Sequence, residues 1–172
     1  MKKNVLVATC ALMLVTCLFS SCGIYSFRDV SIDYTKTKTI KVGYIENNAR
    51  YVNPLLSPQL TDKLKQKISS STKLILTNSD NADLIITGNI SDYSVSTAAI
   101  STTQAATNRL SVTVHLSIRN NKASTDPEEK DVTRNFDFSS SQSLSDAESS
   151  SQYSDFIKAL IEDIFNQLFS KW

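Results

Sequence analysis

Residues 110–119 read LSVTVHLSIR, and this stretch decides the fold. Its apolar positions are Leu110, Val112, Val114, Leu116 and Ile118, and each is followed by a polar residue. A period of two over ten residues predicts a strand with one buried and one wet face, as antiparallel sheets allow. The chain must therefore supply other elements that cover the apolar face of this strand.

Four other segments have strand character and lie at about 40–44, 74–76, 83–95 and 131–139. In the third, the apolar positions change face along the segment. Gly88 is interpreted as the bulge at which the faces swap, because glycine inside a strand often marks one. The polar segment from Ser96 to Thr107 is either a loop or the end of a long hairpin.

Two helices are predicted. The first covers about 57–70, with Ser57 as N-cap and Pro58 at the first helical position. One face repeats every four residues through Leu60, Leu64 and Ile68. The second covers about 151–172, and the serine-rich stretch before it, 139–151, is expected to be a mobile or loosely packed linker.

The last helix is unusually apolar. Its apolar side chains cover an arc of about 220°, whereas one packing face needs roughly 100°. One explanation is burial between the sheet and the first helix. The other is that Phe165, Phe169 and Trp172 face a partner protein or lipid.

The order of these elements predicts an α+β fold: a two-layer sandwich of a mostly antiparallel four- to five-stranded sheet with two helices packed on one face. The single domain covers 40–172, and residues 22–39 form an extended lead-in.

The first 22 residues, MKKNVLVATCALMLVTCLFSSC, have the layout of a secretory signal. Their apolar run is shorter than the roughly 20 residues that span a bilayer. The ending LFSSC resembles a bacterial lipobox, so residues 1–21 are expected to be cleaved and Cys22 to carry acyl chains. The alternative is an ordinary cleaved signal. With lipidation, no thiol remains for a disulfide, a metal or a nucleophile.

Charge is unevenly placed along the chain. Residues 22–74 hold nine Lys or Arg against four Asp or Glu, and residues 75–172 hold seven against thirteen. A basic half next to the anchor can favour anionic lipid head groups. A chance distribution would explain the same counts.

The sequence argues against an enzyme. The single histidine, His115, lies on the polar side of a regular strand, and no serine can be assigned to it as a nucleophile. The acidic run from Asp126 to Asp131 lacks the spacing and the glycine of an EF-hand loop. One histidine without a free cysteine cannot supply the ligands of a zinc site except through carboxylates. Neither a phosphate-binding glycine loop nor a nucleic-acid array is present. We therefore expect a binding or assembly protein without metal, cofactor or nucleic acid.

Five segments together carry a family resemblance that covers nearly the whole mature chain. They are CGIYSFRD (22–29), NPLLSPQLTDKLKQK (53–67), ADLIITGNISDYSV (82–95), NRLSVTVHLSIRN (108–120) and IFNQLFSKW (164–172). In order and spacing they resemble the LptE family of lipopolysaccharide-assembly lipoproteins, in its Bacteroidetes-type form.

The resemblance implies a lipid-anchored protein on the periplasmic side of the outer membrane. It would plug the lumen of the LptD β-barrel, assist the folding of that barrel, and help to deliver lipopolysaccharide to the outer leaflet. Family members also bind lipopolysaccharide through basic residues. Placement suggests Lys63, Lys67 and Arg109, although all three can equally be solvated surface residues.

A second hypothesis is a free-standing envelope or surface lipoprotein that binds a ligand or serves another envelope complex. In Bacteroidetes-type lipoproteins, an acidic run soon after the lipidated cysteine resembles the signal for surface export. The segment GIYSFRD has only one acidic residue, Asp29. This composition favours the periplasmic face. An enzyme is the third hypothesis and would require activity that depends on His115 or a carboxylate.

Overall fold

The computed structural model describes residues 32–99, 106–123 and 125–169. Over these ranges the α+β fold is confirmed, with helices packed on one side of a five-stranded sheet. The elements in chain order are β1 Thr39–Asn47, α1 Leu56–Ser71, β2 Ile75–Leu76, β3 Leu84–Ala99, β4 Thr107–Asn120, β5 Glu128–Ser139, α2 Leu144–Glu148 and α3 Ser151–Phe169.

The sheet has the order β2-β1-β3-β4-β5. β1 pairs in parallel with β2 and β3, while β3, β4 and β5 pair antiparallel. The sheet is thus mixed rather than purely antiparallel, with the parallel pairs confined to β1. The parallel pairs arise because α1 lies between β1 and the next two strands, and parallel neighbours need such a crossover. β3 and β4 pair as far as Ala99 and Thr107, so the polar residues 96–99 are part of a long hairpin.

The apolar core lies between the sheet and the helices. The alternation predicted for β4 is confirmed, because its five apolar side chains are at most 3% exposed. α1 packs on β1, and α3 packs on both α1 and β5. Nine apolar side chains of α3 are buried, which accounts for its wide apolar arc. Among the described residues, none of the helices has the length and apolar character needed to cross a bilayer.

The start of α1 differs from the prediction. The helix begins at Leu56, and Ser57 is a buried residue of its first turn rather than the N-cap. The reason lies in Asn53, whose side-chain Oδ1 accepts the N–H of Leu55 at 2.9 Å and whose carbonyl accepts the N–H of Leu56 at 3.3 Å. This turn at Asn53 sets the start of the helix at Leu56, one residue before Ser57.

The bulge in β3 is present but lies elsewhere. Ile90 and Asp92 face consecutive residues of β4, which leaves Ser91 as the extra residue at the face swap. Glycine is required at position 88 because the backbone of β4 lies close to it. A Cβ atom built on Gly88 would lie 2.5 Å from the carbonyl oxygen of His115, so β4 approaches too closely for any side chain.

The serine-rich stretch 139–151 is not a loosely packed linker. It contains the short helix α2, whose N-cap Ser143 accepts the N–H of Asp146 at 3.2 Å. Ala147 in α2 is 1% exposed and belongs to the core. Serine here caps helices instead of extending a flexible chain.

Candidate functional site

The exposed face of β4 and β5 carries a ladder of side-chain contacts between directly opposed residues. The five pairs are Arg109–Asp137, Ser111–Asn135, Thr113–Thr133, His115–Asp131 and Ser117–Glu129. Their closest polar atoms are 2.7 to 2.9 Å apart. We call this set the polar ladder. It makes the exposed surface of these two strands hydrophilic.

Arg109, one of the three predicted lipopolysaccharide contacts, is part of this ladder. Its Nε and one terminal nitrogen donate to the two carboxylate oxygens of Asp137, both at 2.7 Å. This fork raises the pKa of Arg109 and lowers that of Asp137. The guanidinium is therefore already engaged within the chain.

His115 has a carboxylate at each ring nitrogen. Nδ1 lies 2.7 Å from Oδ1 of Asp131, and Nε2 lies 3.1 Å from Oε2 of Glu129. The hydrogen bond to Asp131 and the charges of both carboxylates raise the pKa of the imidazole. Ser117 donates to Glu129 rather than to His115. These contacts make His115 a cross-strand ion-pair residue and give no activated nucleophile.

The raised pKa of His115 predicts a pH dependence of stability. A group whose pKa is higher in the folded state stabilises fully below its unfolded pKa, here about 6.5, and loses that contribution as the pH rises through the folded value. We expect the free energy of unfolding to fall between pH 6 and pH 8. The fall is at most about 1 kcal/mol, because solvent screens exposed ion pairs. Chemical denaturation at a series of pH values measures it.

The matched control is His115→Thr, which keeps a strand-forming polar residue at the same position. Its stability should be flat over the same pH range, because this chain has no other histidine. An equal pH dependence in wild type and variant would contradict the assignment to His115.

Lys130 is a buried charged residue whose role is not predicted by the sequence analysis. Its Nζ donates to the carbonyl of Gln167 at 2.9 Å, in the last turn of α3, and lies 3.1 Å from Oε1 of Glu128. A cation at a helix C-terminus binds carbonyls that lack an intrahelical partner and complements the helix dipole. Lys130 therefore fastens the end of α3 to the edge strand β5.

Lys67, the second predicted contact, is also engaged. Its Nζ lies 2.6 Å from Oε1 of Glu162 and 5.2 Å from the ring centroid of Phe165. Phe165 and Phe169 are 6% and 2% exposed, with ring centroids 4.8 Å apart. Both rings are covered within the chain rather than turned outward, so burial between layers explains them. Trp172 lies outside the described residues.

Lys63, the third predicted contact, borders a groove of about 450 Å³. The groove lies between the loop before α1, the first two turns of α1, α2 and the start of α3. Within the described ranges, Lys63 makes no hydrogen bond or ion pair, unlike Lys67 and Arg109. Among the three predicted contacts, Lys63 alone has no hydrogen-bond or ion-pair partner within the described residues.

A hydroxyl network adjoins the groove, because its members Glu148 and Tyr153 line it. The hydroxyl of Tyr93 donates to Oε1 of Glu148 and lies 3.3 Å from the hydroxyl of Tyr153. Burial raises the pKa of Tyr93, and raises that of Tyr153 to about 12, so both phenols stay protonated. Tyr51 stacks on Tyr93 with centroids 5.5 Å apart. Sequence reasoning missed this network because its members are far apart in the chain.

The described residues contain no group of three or more His, Cys, Asp or Glu side chains that could hold a metal ion. The groove and the polar ladder are lined by hydroxyl, amide, charged and aromatic side chains. Comparison with known proteins identifies the family to which this chain belongs.

A family model for lipopolysaccharide assembly, LptE, matches residues 37–171 of this chain. The chain belongs to the LptE family. LptE proteins are lipopolysaccharide-assembly lipoproteins that are not enzymes, and the family acts with LptD. The match spans every strand and helix described above.

Solved structures share the LptE-like fold of this chain at low sequence identity. A minor lipoprotein from Acinetobacter baumannii has a TM-score of 0.50 and 16% identity, over 77% of this chain and 93% of that one. An uncharacterized lipoprotein B from Nitrosomonas europaea has a TM-score of 0.50 and 18% identity, over 78% and 83% of the chains. A putative neuraminyllactose-binding hemagglutinin homolog from Helicobacter pylori has a TM-score of 0.54 and 8% identity, over 86% and 88%. Among curated proteins, none matches this chain in sequence.

Proposed function

We propose that this LptE-family chain is the plug of an LptD-like β-barrel in the outer membrane, where it assists assembly of the barrel and delivery of lipopolysaccharide to the outer leaflet. The observation that carries the proposal is the family match over residues 37–171. Because the match includes both long helices and the whole sheet, the proposal concerns the complete domain, residues 40–172.

The surface of the sheet is compatible with this role. The interior of a large outer-membrane barrel is polar, so a protein that fills it must present hydrogen-bonding groups. The polar ladder supplies such a face along β4 and β5. An apolar face of the same size would instead favour association with lipid or aggregation.

Membrane attachment is assigned to Cys22. In this proposal residues 1–21 are a cleaved signal, Cys22 carries the acyl chains, and residues 22–39 connect the lipid to the domain on the periplasmic side. Two or more acyl chains hold a protein firmly at a bilayer, whereas one gives only marginal binding. The basic first part of the chain lies next to the anchor and favours an anionic surface.

Affinity purification from detergent-solubilised membranes tests the plug role. A tagged wild-type chain should recover a large outer-membrane barrel in near-equal amount, because a plug enclosed by its barrel dissociates slowly. Another tagged outer-membrane lipoprotein of similar abundance is the control and should recover none. Repeated recovery of the chain alone would contradict the plug role, and its digestion by protease on intact cells would favour a surface lipoprotein.

Replacing Cys22 with serine forms a second arm of the same experiment. In cells that lack the barrel, most of the protein without acyl chains should move from the membrane to the soluble fraction on cell fractionation. A tagged Cys22→Ser chain that remains wholly in the membrane fraction when the barrel is absent would refute lipidation as the means of attachment.

A further inference from the structure

The edge of the sheet at β2 carries exposed apolar side chains beside two lysines. Ile75 and Leu76 form the whole of β2 and are 64% and 37% exposed. The main-chain N–H of Ile75 donates to the carbonyl of Lys38 at 2.8 Å, and Lys73 precedes Ile75 by two residues. Both lysines are exposed. We call Lys38, Lys73, Ile75 and Leu76 the β2 edge patch.

The two lysines of the patch carry charge that no described carboxylate neutralises. Neither forms an ion pair within the part of the chain that the structure describes, and the Nζ of Lys73 lies 6.0 Å from the ring centroid of Tyr34. The neighbouring carboxylates are already paired with other lysines: Asp33 with Lys36, Asp80 with Lys41 and Asp83 with Lys122. The β2 edge patch is therefore basic as well as apolar.

The patch lies at the end of the domain where the chain enters it. Tyr34, whose ring lies beside Lys73, is twelve residues after Cys22, and twelve residues span at most about 40 Å. The opposite end of β1, near Arg50, is a nine-residue strand further away, a distance of about 30 Å. With Cys22 as the lipid anchor, the tether holds the β2 edge patch closer to the bilayer than the opposite end of the domain.

The form of this edge favours lipid over an added protein strand. A strand that adds to a sheet binds through the outward N–H and C=O groups of the edge, and β2 is two residues long. An apolar surface flanked by lysines suits the boundary between headgroups and acyl chains, because the lysine methylenes lie along apolar groups while the ammonium stays among phosphates. Anionic headgroups supply the negative charge that the patch lacks.

We propose that the β2 edge patch binds the surface of an anionic phospholipid bilayer, with Ile75 and Leu76 at the acyl boundary and Lys38 and Lys73 among the headgroup phosphates. The inference rests on the proposed function, because it requires the lipid anchor at Cys22. The anchor holds the chain at the membrane, and the patch determines which end of the domain faces it. A short tether gives an effective concentration in the millimolar range, so weak binding by the patch is sufficient.

Vesicle binding tests the patch without the anchor. The protein is the mature chain 22–172 with Cys22→Ser, which has no acyl chains. The probes are vesicles of phosphatidylcholine alone and of an equimolar mixture with phosphatidylglycerol, and sedimentation measures the bound fraction. Binding to the anionic vesicles should be half-saturated on the order of 1 mM lipid and be at least about tenfold weaker without phosphatidylglycerol. Binding this weak would not hold the Cys22→Ser chain at the membrane during cell fractionation.

Three substitutions in the patch should each weaken binding to the anionic vesicles. Lys38→Ala and Lys73→Ala should weaken it about fivefold each, the effect of one lysine near an anionic surface. Ile75→Ala should weaken it about tenfold, because less apolar surface is removed from water. All three side chains are exposed, so the variants should remain folded, which circular dichroism checks.

Arg50→Ala and Leu55→Ala are the matched controls. Arg50 is exposed beyond the opposite end of β1 and forms no ion pair with a described residue. Leu55 is 65% exposed, nearly the same as Ile75, and the sixteen residues of α1, about 24 Å, separate the two positions. Each control removes the same kind of group at the other end of the domain, so binding to the anionic vesicles should be unchanged.

The proposal is wrong if the two kinds of vesicle bind equally, if neither binds, or if the controls weaken binding as much as the patch variants do. It is also wrong if Ile75→Ala leaves vesicle binding unchanged but lowers recovery of the barrel from membranes, because the edge would then contact the partner protein. The vesicle experiment contains no barrel. Absence of vesicle binding with barrel recovery removes this inference alone, and vesicle binding without barrel recovery removes the plug role alone.

Discussion

Replacing Ile164 with alanine is expected to lower the free energy of unfolding by about 3 to 4 kcal/mol. Ile164 lies in α3 and is 0% exposed. α3 packs on α1 and on β5, so the side chain lies where two layers meet. The loss combines the transfer of the missing methylenes with the cavity that remains, because a well-packed interior collapses only partly. Chemical denaturation followed by circular dichroism gives the value.

Ile75→Ala is the matched control for this substitution. Ile75 lies in the edge strand β2 and is 64% exposed, so the same change of side chain removes little buried surface. Its cost should stay within about 0.5 kcal/mol. If the two isoleucine variants lost similar stability, α3 would not be the central element of the core.

Gly88→Ala is the second substitution with a large expected effect, a loss of about 3 kcal/mol. Its Cβ would lie 2.5 Å from the carbonyl oxygen of His115 and 3.1 Å from Cδ2 of Leu116. The first of these atoms belongs to the backbone of β4 and can move only if the strands separate. Gly88 lies in β3, which is paired on both sides, so separation disturbs the middle of the sheet. The same denaturation experiment measures the loss.

Gly43→Ala tests whether the effect is specific to Gly88. A Cβ at Gly43 would lie 3.3 Å from the carbonyl oxygen of Ile86 and 3.3 Å from Cγ2 of Thr87, contacts that a small shift relieves. We expect a cost of about 1 kcal/mol or less. Equal costs at the two glycines would show that the loss reflects general strand preference instead of the close approach of β4.

The sequence was sufficient for those elements whose signal is local and periodic. β4 alternates strictly, and the apolar arc of α3 is wide, so both were predicted with their buried residues. Periodicity does not reveal the direction of pairing. β1 alternates as an antiparallel strand would, yet it is parallel to both of its neighbours because of the α1 crossover.

Element ends and short elements were less accessible from the sequence. Ser57 followed by Pro58 has the pattern of a helix start, but Asn53 begins the turn earlier. α2 was missed because its serines were interpreted as linker composition. In the structure, one of them caps the helix and Ala147 joins the core.

The candidate site depended on contacts that no local pattern contains. Lys63 and Lys67 are one turn apart on α1, and the sequence gives no reason to distinguish them. The difference comes from α3, which places Glu162 beside Lys67 and leaves Lys63 at the groove. Tyr93 and Glu148 meet across 55 positions of sequence.

The polar ladder also determines how β4 and β5 can align while the protein folds. Sliding one strand by one residue would expose the whole apolar face and is strongly disfavoured. Sliding by two would keep every apolar side chain buried, so burial alone does not prevent it. In that misaligned hairpin Arg109 would face Asn135 or Ser139, and Asp137 would lose its cation. The ion pairs and hydrogen bonds of the polar ladder therefore disfavour a two-residue shift in register, which burial of apolar side chains alone does not disfavour.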